Sequence, residues 1–207
     1  MANVIFDFDG TLADTFPLVV DVSYKLAPGT RRLPSRKINR LRELPLLTAM
    51  RRLGIAYWYM PILMLFVRRR MTPRMTEVAP CEGVVPMLRA LQDAGHRMYI
   101  LTSNYKENVQ IFLKHHRMER FFGEVATVYY ASTAVKTRAL KKMLRRNMMK
   151  SSETYYVGNE ALDVEAADRA GIKGIATTWG GFNQEELRKA KPFAIIDKPM
   201  DLVSLLQ

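Results

Sequence analysis

The chain has 207 residues, of which 48% are hydrophobic and 25% are charged, so it can bury a core and is not a disordered or fibrous protein. Its formal net charge is +12, and residues 15–82 hold thirteen basic residues against four acidic ones. Such a field favours anionic partners, whether phosphorylated metabolites, nucleic acid or an anionic membrane surface.

Apolar periodicity predicts alternating strands and helices, with one interruption near the N-terminus. Residues 4–6 predict a short buried strand that ends at an Asp and Gly cluster, whereas residues 15–80 show helical spacing (Leu46, Leu47, Met50, Leu53) and prolines at positions 17, 28, 34, 45, 61 and 73. Further predicted helices cover residues 84–94, the segment with Val109, Phe112 and Leu113, residues 137–147 and 163–170, and a short C-terminal segment. Further predicted strands cover residues 98–101, 125–130, 155–157, 172–178 and 193–196.

This alternation predicts an α/β fold, with a mainly parallel sheet covered by helices on both faces. The core domain would comprise residues 1–14 and 81–207, and residues 15–80 would form a separate helical cap domain. Ligands of such sheets bind at the carboxyl ends of the strands, so polar residues at these ends are the candidates for chemistry.

The first such candidate is the segment Asp7-Phe8-Asp9-Gly10-Thr11, which follows the first predicted strand. Two carboxylates two residues apart project toward one side, and Gly10 allows the chain to turn sharply. Buried carboxylates repel each other and are costly to desolvate, so a cation, or a phosphoryl ligand with its metal, explains them. The alternative is an Asp-Gly hairpin turn, but no second strand with matching alternation follows Gly10.

Three later segments also place polar groups just after predicted strands or at the start of the helices that follow them. Residues 102–104, Thr-Ser-Asn, follow the second core strand, and Lys136 opens the helix after the third. Residues 156–163 contain Gly158-Asn159, with Asp163 four residues after Asn159. Taken singly, each has a simpler explanation: residues 102–104 could be a helix cap, Lys136 a solvated lysine, and residues 156–163 a capped turn.

The segment Asp-Phe-Asp-Gly-Thr-Leu-Ala-Asp-Thr, residues 7–15, resembles the first motif of the haloacid dehalogenase superfamily, in its branch similar to phosphoglycolate phosphatases. The resemblance extends over essentially the whole chain and implies a three-layer, Rossmann-like α/β core with an inserted α-helical cap. It also implies that Asp7 is the nucleophile and Asp9 the general acid and base. True dehalogenases lack the second Asp, so Asp9 argues against dehalogenation.

By the same resemblance, Thr102 supplies the hydroxyl that binds the phosphoryl group, with Ser103 as the alternative, and Lys136 neutralises the phosphoryl oxygens. The implied Mg2+ ligands are Asp7, Asp9, Asn159 and Asp163, and the predicted substrate-binding residues are Gly10, Thr11 and Asn104, together with Arg42 among the basic residues of the cap. Asn159 stands where the family has Asp. Its amide carbonyl can ligate Mg2+ but brings no charge, so we expect a lowered metal affinity.

The sequence therefore predicts a Mg2+-dependent phosphatase that hydrolyses a small phosphomonoester through a phosphoaspartyl intermediate on Asp7. Two alternatives are a phosphomutase of the same fold and a binding or regulatory protein with a weakened metal site, which Asn159 favours. The intact Asp7, Asp9 and Lys136 favour the enzyme. The expected partner is a small phosphorylated metabolite and not nucleic acid, and contact of the basic cap with a membrane surface is the alternative.

The single cysteine, Cys81, excludes an internal disulfide, and no signal segment precedes residues 4–7, so we expect a cytoplasmic location. The longest run without strongly polar groups, residues 55–67, contains Pro61 and is shorter than the ~20 residues of a membrane-spanning helix.

Overall fold

A six-stranded parallel sheet runs through the part of the chain that the computed structural model describes, residues 1–26, 40–41, 52–55, 58, 60–181 and 184–207. Its strands are β1 (Asn3–Phe6), β2 (Arg97–Thr102), β3 (Phe122–Thr127), β4 (Thr154–Gly158), β5 (Lys173–Thr177) and β6 (Ala194–Ile196). The α-helices whose two ends both lie in described residues are α1 (Phe16–Leu26), α2 (Met60–Met71), α3 (Val84–Asp93), α4 (Lys106–His115), α5 (Thr133–Arg146), α6 (Ala161–Ala170), α7 (Gln184–Lys189) and α8 (Pro199–Leu205). Short 3-10 helices cover Thr72–Glu77, Glu119–Phe121 and Ser151–Glu153.

The strand order is β3-β2-β1-β4-β5-β6, so β1 lies inside the sheet with β2 and β4 on either side. Both neighbours are parallel to β1, and Phe6 pairs with Ile100 on β2 and with Val157 on β4. The continuous apolar run of β1 is typical of a parallel strand that is buried on both faces. The carboxyl ends of these three strands therefore lie side by side, and this confirms the predicted α/β fold.

Successive β1 side chains enter two different apolar clusters, because the side chains of a strand alternate between the faces of its sheet. Val4 and Phe6 pack with residues of α3, α4 and α8, whereas Ile5 packs with Leu140 of α5 and Ala167 of α6. The sheet is thus the middle of three layers, as predicted.

Two predicted boundaries were wrong at the third strand and the helix that follows it. The strand predicted at residues 125–130 is β3, which ends at Thr127, because β2 ends at Thr102 and offers no partner beyond it. The helix predicted from residue 137 begins at Thr133, because the Ser132 hydroxyl caps it by accepting the Val135 N–H.

The insertion after β1 contributes two of the described helices, which pack on each other through residues such as Leu18 on α1 and Leu63 on α2. The chain leaves and re-enters the core side by side, since the Asp14 N–H donates to Ala79 O at 2.9 Å and the Cys81 N–H to Leu12 O at 3.0 Å. The division into a core of residues 1–14 and 81–207 and a cap of residues 15–80 stays a prediction.

Some of the predicted features fall on residues that the structure does not describe. The helical spacing at Leu46, Leu47 and Met50 lies outside the described residues, as does Arg42. Within the described ranges, no helix is both long enough and apolar enough to cross a membrane.

Candidate active site

Asp7 and Asp9 follow β1 on a turn that holds both carboxyl groups at the carboxyl end of the sheet. The Asp7 N–H continues the strand pairing by donating to Val157 O at 2.8 Å. Phe8, between the two acids, packs edge-on against Phe112 at 5.1 Å in the core. Because neighbouring side chains of extended backbone point to opposite sides, this anchors the two carboxylates on the side away from Phe112. Gly10 then turns the chain with a φ of 75°, which favours glycine.

Lys136 lies at the base of this turn and is only 1% exposed. Its Nζ donates to Asp7 Oδ1 at 3.0 Å and to Asp163 Oδ1 at 2.5 Å. Lys136 comes from the first turn of α5 and Asp163 from the first turn of α6, so one ammonium group links the sheet to two helices.

Asp163 is fixed by further donors. The Tyr156 hydroxyl donates to Asp163 Oδ1 at 3.1 Å, and the Glu160 N–H donates to Oδ2 at 3.2 Å. A Cβ at Gly158 would lie 2.4 Å from Oδ2, so glycine lets the carboxylate approach the backbone. Both carboxylate oxygens of Asp163 thus already accept hydrogen bonds, and its predicted role as a metal ligand stays a prediction.

Asp9 is held by a chain of asparagine side chains. Asn104 Nδ2 donates to Asp9 Oδ1 at 2.9 Å, and Asn108 Nδ2 donates to Asn104 Oδ1 at 2.8 Å. Asn108 is fully buried, and its Nδ2 also donates to the backbone carbonyl of Arg68 at 2.9 Å. These bonds connect the second acid of the turn to helix α2 of the insertion.

The two candidate hydroxyls have different surroundings. Thr102 is fully buried, and its Oγ1 accepts the Asn104 N–H at 3.0 Å. Ser103 is partly exposed, and its Oγ accepts a hydrogen bond from Arg68 at 2.8 Å. The choice between Thr102 and Ser103 as the phosphate-binding hydroxyl stays a prediction.

Asn159 is fully buried beside the turn. Its Oδ1 accepts the Thr11 hydroxyl at 3.3 Å, whereas its Nδ2 has no hydrogen-bond partner among the described residues. A Cβ on Gly10 would lie 2.3 Å from Nδ2, and a Cβ on Gly180 would lie 2.6 Å from it. Two glycines thus enclose an amide that is incompletely hydrogen-bonded, and a buried polar group in this state is costly without a further ligand.

The buried side chains of the site include more carboxyl groups than cationic groups. Burial raises the pKa of Asp7 well above its ordinary value, and Lys136 offsets this only in part because the carboxylates of Asp163, Asp9 and Glu160 act in the opposite direction. Burial also raises the pKa of Glu160 to about 7. Burial alone would lower the pKa of Lys136, but the charges of Asp163 and Asp7 raise it well above its ordinary value. We conclude that Lys136 is protonated and that further positive charge would stabilise an ionised Asp7.

A hard divalent cation fits this surplus, because Asp7 and Asp9 bring carboxylate oxygens to the same turn and Asn159 brings an amide beside them. Among the described residues, no group of three or more His, Cys, Asp and Glu side chains is arranged to hold a metal. A metal site here would therefore need the amide or an oxygen of the substrate in addition to the two carboxylates.

The structure gathers nearly all the candidate residues of the sequence at one end of the sheet; the exception is Arg42, which lies outside the described residues. Three contributors were not foreseen: Tyr156, Asn108 and Arg68. Asn108 is a polar residue on the apolar side of a predicted helix, four residues after Asn104, and this spacing indicates a buried hydrogen bond between the two side chains. Nothing in the sequence distinguishes Arg68 from the adjacent Arg69 and Arg70.

Comparison with known proteins gives one consistent result. The sequence model of the family described as haloacid dehalogenase-like hydrolase matches residues 4–177. A phosphoglycolate phosphatase of Synechococcus elongatus is 32% identical over 207 residues, which cover 98% of this chain and 96% of that protein. Pyrophosphatase PpaX of Bacillus mycoides is 28% identical over 126 residues, 60% of this chain and 59% of that protein. A solved haloacid dehalogenase-like family hydrolase from Streptococcus pneumoniae superimposes with a TM-score of 0.79 at 19% identity, covering 100% of this chain and 99% of that one.

Proposed function

Because this chain belongs to the haloacid dehalogenase-like hydrolase family and is a hydrolase of its phosphatase branch, we propose that it cleaves a small phosphomonoester in a Mg2+-dependent reaction through a phosphoaspartyl intermediate on Asp7. One observation carries the proposal. Lys136, buried and protonated, holds the carboxylate of Asp7 by one hydrogen bond while Asp163 holds Lys136 from the other side. A carboxylate fixed in this way is a positioned nucleophile.

In the first step, a carboxylate oxygen of Asp7 attacks phosphorus while the bond from phosphorus to the leaving oxygen breaks. Asp9 donates its proton to that leaving oxygen. Burial raises the pKa of Asp9, and the donors Thr15 and Asn104 and the charges of Arg68 and Lys136 offset this only in part, so Asp9 keeps its proton more readily than an exposed Asp. A raised pKa suits a carboxyl group that acts first as an acid.

In the second step, Asp9, now ionised, takes a proton from a water molecule whose oxygen attacks phosphorus. The bond between phosphorus and Asp7 breaks, inorganic phosphate leaves, and Asp9 is protonated again. Lys136 offsets the negative charge beside Asp7 in both steps.

We assign the metal site to Asp7 and Asn159, with Asp163 as the further predicted ligand. Asp9, which carries a proton in the first step, would contribute only its other carboxyl oxygen. When bound, Mg2+ supplies the positive charge that offsets the developing charge on the phosphoryl oxygens. The surplus of buried carboxylates supports this assignment. Asn159 would contribute its Oδ1, because its unpartnered Nδ2 is a hydrogen-bond donor and cannot bind a cation. Phosphoglycolate is the first substrate to test, because the relative that matches over nearly the whole chain is named for it, and pyrophosphate is the second. We propose a cytoplasmic location, in keeping with the buried Cys81, which forms no disulfide.

The test is phosphate release from a panel of phosphomonoesters, with and without millimolar Mg2+. Release should require Mg2+ and should fall by roughly four orders of magnitude in Asp7→Asn, as is usual when a covalent nucleophile is lost. Asp168→Asn, which changes an exposed carboxylate on α6, should keep full activity. Release that survives in Asp7→Asn would contradict the phosphoaspartyl intermediate. No release from any ester would favour the alternative of a binding protein with a weakened metal site.

A further inference from the structure

The strongest feature outside the proposed machinery is Arg68, which helix α2 of the insertion carries to the edge of the active site. Its backbone is fixed, because the buried Asn108 donates to the Arg68 carbonyl and also accepts the Thr72 hydroxyl at 2.7 Å. The same Asn108 donates to Asn104, which holds Asp9. The position of Arg68 along α2 is therefore set by hydrogen bonds that lead directly to the second acid of the site.

The side chain of Arg68 points back to the core and is also fixed. One guanidinium nitrogen donates to Ser103 Oγ at 2.8 Å and the other to Tyr129 O at 3.4 Å. Both hydrogen-bond partners are neutral, and among the described residues Arg68 forms no salt bridge with a carboxylate. Arg69 and Arg70, the next residues of α2, are exposed, whereas Arg68 is half-buried. A partly desolvated guanidinium with only neutral partners is suited to an incoming anion.

Arg68 lies on the side of the site where the leaving group must be. It bonds to Ser103, the residue next to Asn104, which contacts Asp9, whereas Lys136 bonds to Asp7 on the opposite side. Asp9 gives its proton to the leaving oxygen, so the group attached to that oxygen extends toward Arg68.

We propose that Arg68 is a specificity-determining residue that binds an anionic group on the leaving-group part of the substrate. The inference rests on the proposed function and deepens it, since it selects phosphomonoesters whose leaving group carries a second negative charge. The planar guanidinium can donate two parallel hydrogen bonds to a carboxylate or a phosphate, and Ser103 and Tyr129 fix its orientation beforehand.

The experiment compares two substrates that differ only in this charge. One is phosphoglycolate, the carboxylate ester, and the other is the same ester with a carboxamide in place of the carboxylate. The kcat/KM of the carboxylate ester should fall about ten- to a hundredfold in Arg68→Gln, the usual range for a lost hydrogen bond to a charged group. The kcat/KM of the carboxamide ester should change less than about threefold. Arg68→Lys should recover only part of the loss, because lysine keeps the charge but not the paired donors.

Arg69→Gln is the matched control, since it removes the same charge from an exposed position one residue away. It should leave the kcat/KM of both esters unchanged. If Arg69→Gln lowered the preference for the carboxylate ester as much as Arg68→Gln does, only the general positive field of the insertion would be responsible, and the proposal would be overturned. An equal loss on both esters in Arg68→Gln would also overturn it. Circular dichroism and the thermal midpoint of Arg68→Gln and Arg68→Lys should match those of the unmodified protein.

The phosphatase activity and the role of Arg68 are tested by different results. If the unmodified protein cleaves neither ester nor any other phosphomonoester, the proposed function is wrong. If it cleaves both esters and Arg68→Gln does not change their ratio, the phosphatase stands and the assignment of Arg68 is wrong.

Discussion

The two sides of the active site are held by different kinds of interaction. On the side that we call the floor, Asp7, Lys136, Asp163 and Tyr156 form a buried cluster around one ammonium group. On the side that we call the mouth, Asp9, Asn104, Asn108 and Arg68 are joined by hydrogen bonds in which neutral amides are the links. The floor belongs to the core alone, whereas the mouth joins the core to the insertion.

Because of this difference, the floor is fixed, whereas the mouth can respond to a substrate. Removing one charge from the floor leaves the others unpaired in the interior, so the floor tolerates no change of charge. The mouth ends in a half-buried guanidinium whose present partners are neutral, so it can exchange them for an anion. We therefore expect mutations of the floor, and of Asp9 itself, to abolish the reaction, and mutations of the other mouth residues to alter its pH dependence or its choice of substrate.

The largest effect is expected from Lys136→Met. The substitution leaves Asp7 and Asp163 without their shared cation, so we expect a loss of about 3–5 kcal/mol in the free energy of unfolding and at least about a thousandfold loss in kcat. Urea denaturation and phosphate release measure the two quantities. Lys142→Met changes an exposed lysine of the same helix and should affect neither. A stable and active Lys136→Met protein would break the distinction between floor and mouth.

Asn104→Ala tests the mouth. Asn104 donates to Asp9, which lowers the pKa of Asp9, so its removal should raise that pKa further and move the basic limb of the kcat–pH profile to higher pH. Because a raised carboxyl pKa contributes stability that is lost as pH rises through it, the stability deficit of this variant should grow with pH and reach about 1–3 kcal/mol near neutral pH.

The control for this variant is Asn147→Ala, which removes an amide that donates to Glu124 at 2.8 Å away from the site. Its free energy of unfolding is compared directly with that of Asn104→Ala, and its kcat–pH profile should coincide with that of the unmodified protein. A basic limb that stayed in place in Asn104→Ala would argue that Asp9 is not the acid.

Asn159→Asp, the smallest expected change, sharpens the account of the metal. The added carboxylate should lower the Mg2+ concentration for half-maximal activity about tenfold, which corresponds to about 1.4 kcal/mol. Without Mg2+ the new buried charge should lower the thermal midpoint, and Mg2+ should restore it. Gln110→Glu, which places the same change on an exposed position of α4, should show neither effect. An unchanged or increased Mg2+ requirement would count against Asn159 as a ligand.

Much of the fold and of the floor could be predicted from local patterns. The buried run of residues 4–6, followed by two carboxylates, predicted both the central strand and the acids at its end, because a parallel strand that is buried on both faces is apolar throughout. The third strand was misplaced, because the residues after Thr127 are apolar and aromatic but have no partner on β2. Pairing of this kind depends on where the neighbouring strand ends, and that is not a property of the segment itself.

The sequence by itself determined that Asp7, Asp9 and Lys136 lie at strand and helix ends, because alternation specifies these ends locally, whereas their roles in the reaction are predicted from the resemblance of the motifs. Only the tertiary structure decided their partners. Residues 68 and 103 meet because the insertion folds back over the sheet, and the Asp7–Lys136 and Lys136–Asp163 pairs close over separations of 129 and 27 residues. Contacts so distant in sequence depend on the packing of whole elements, so no local pattern can distinguish Arg68 from the arginines beside it.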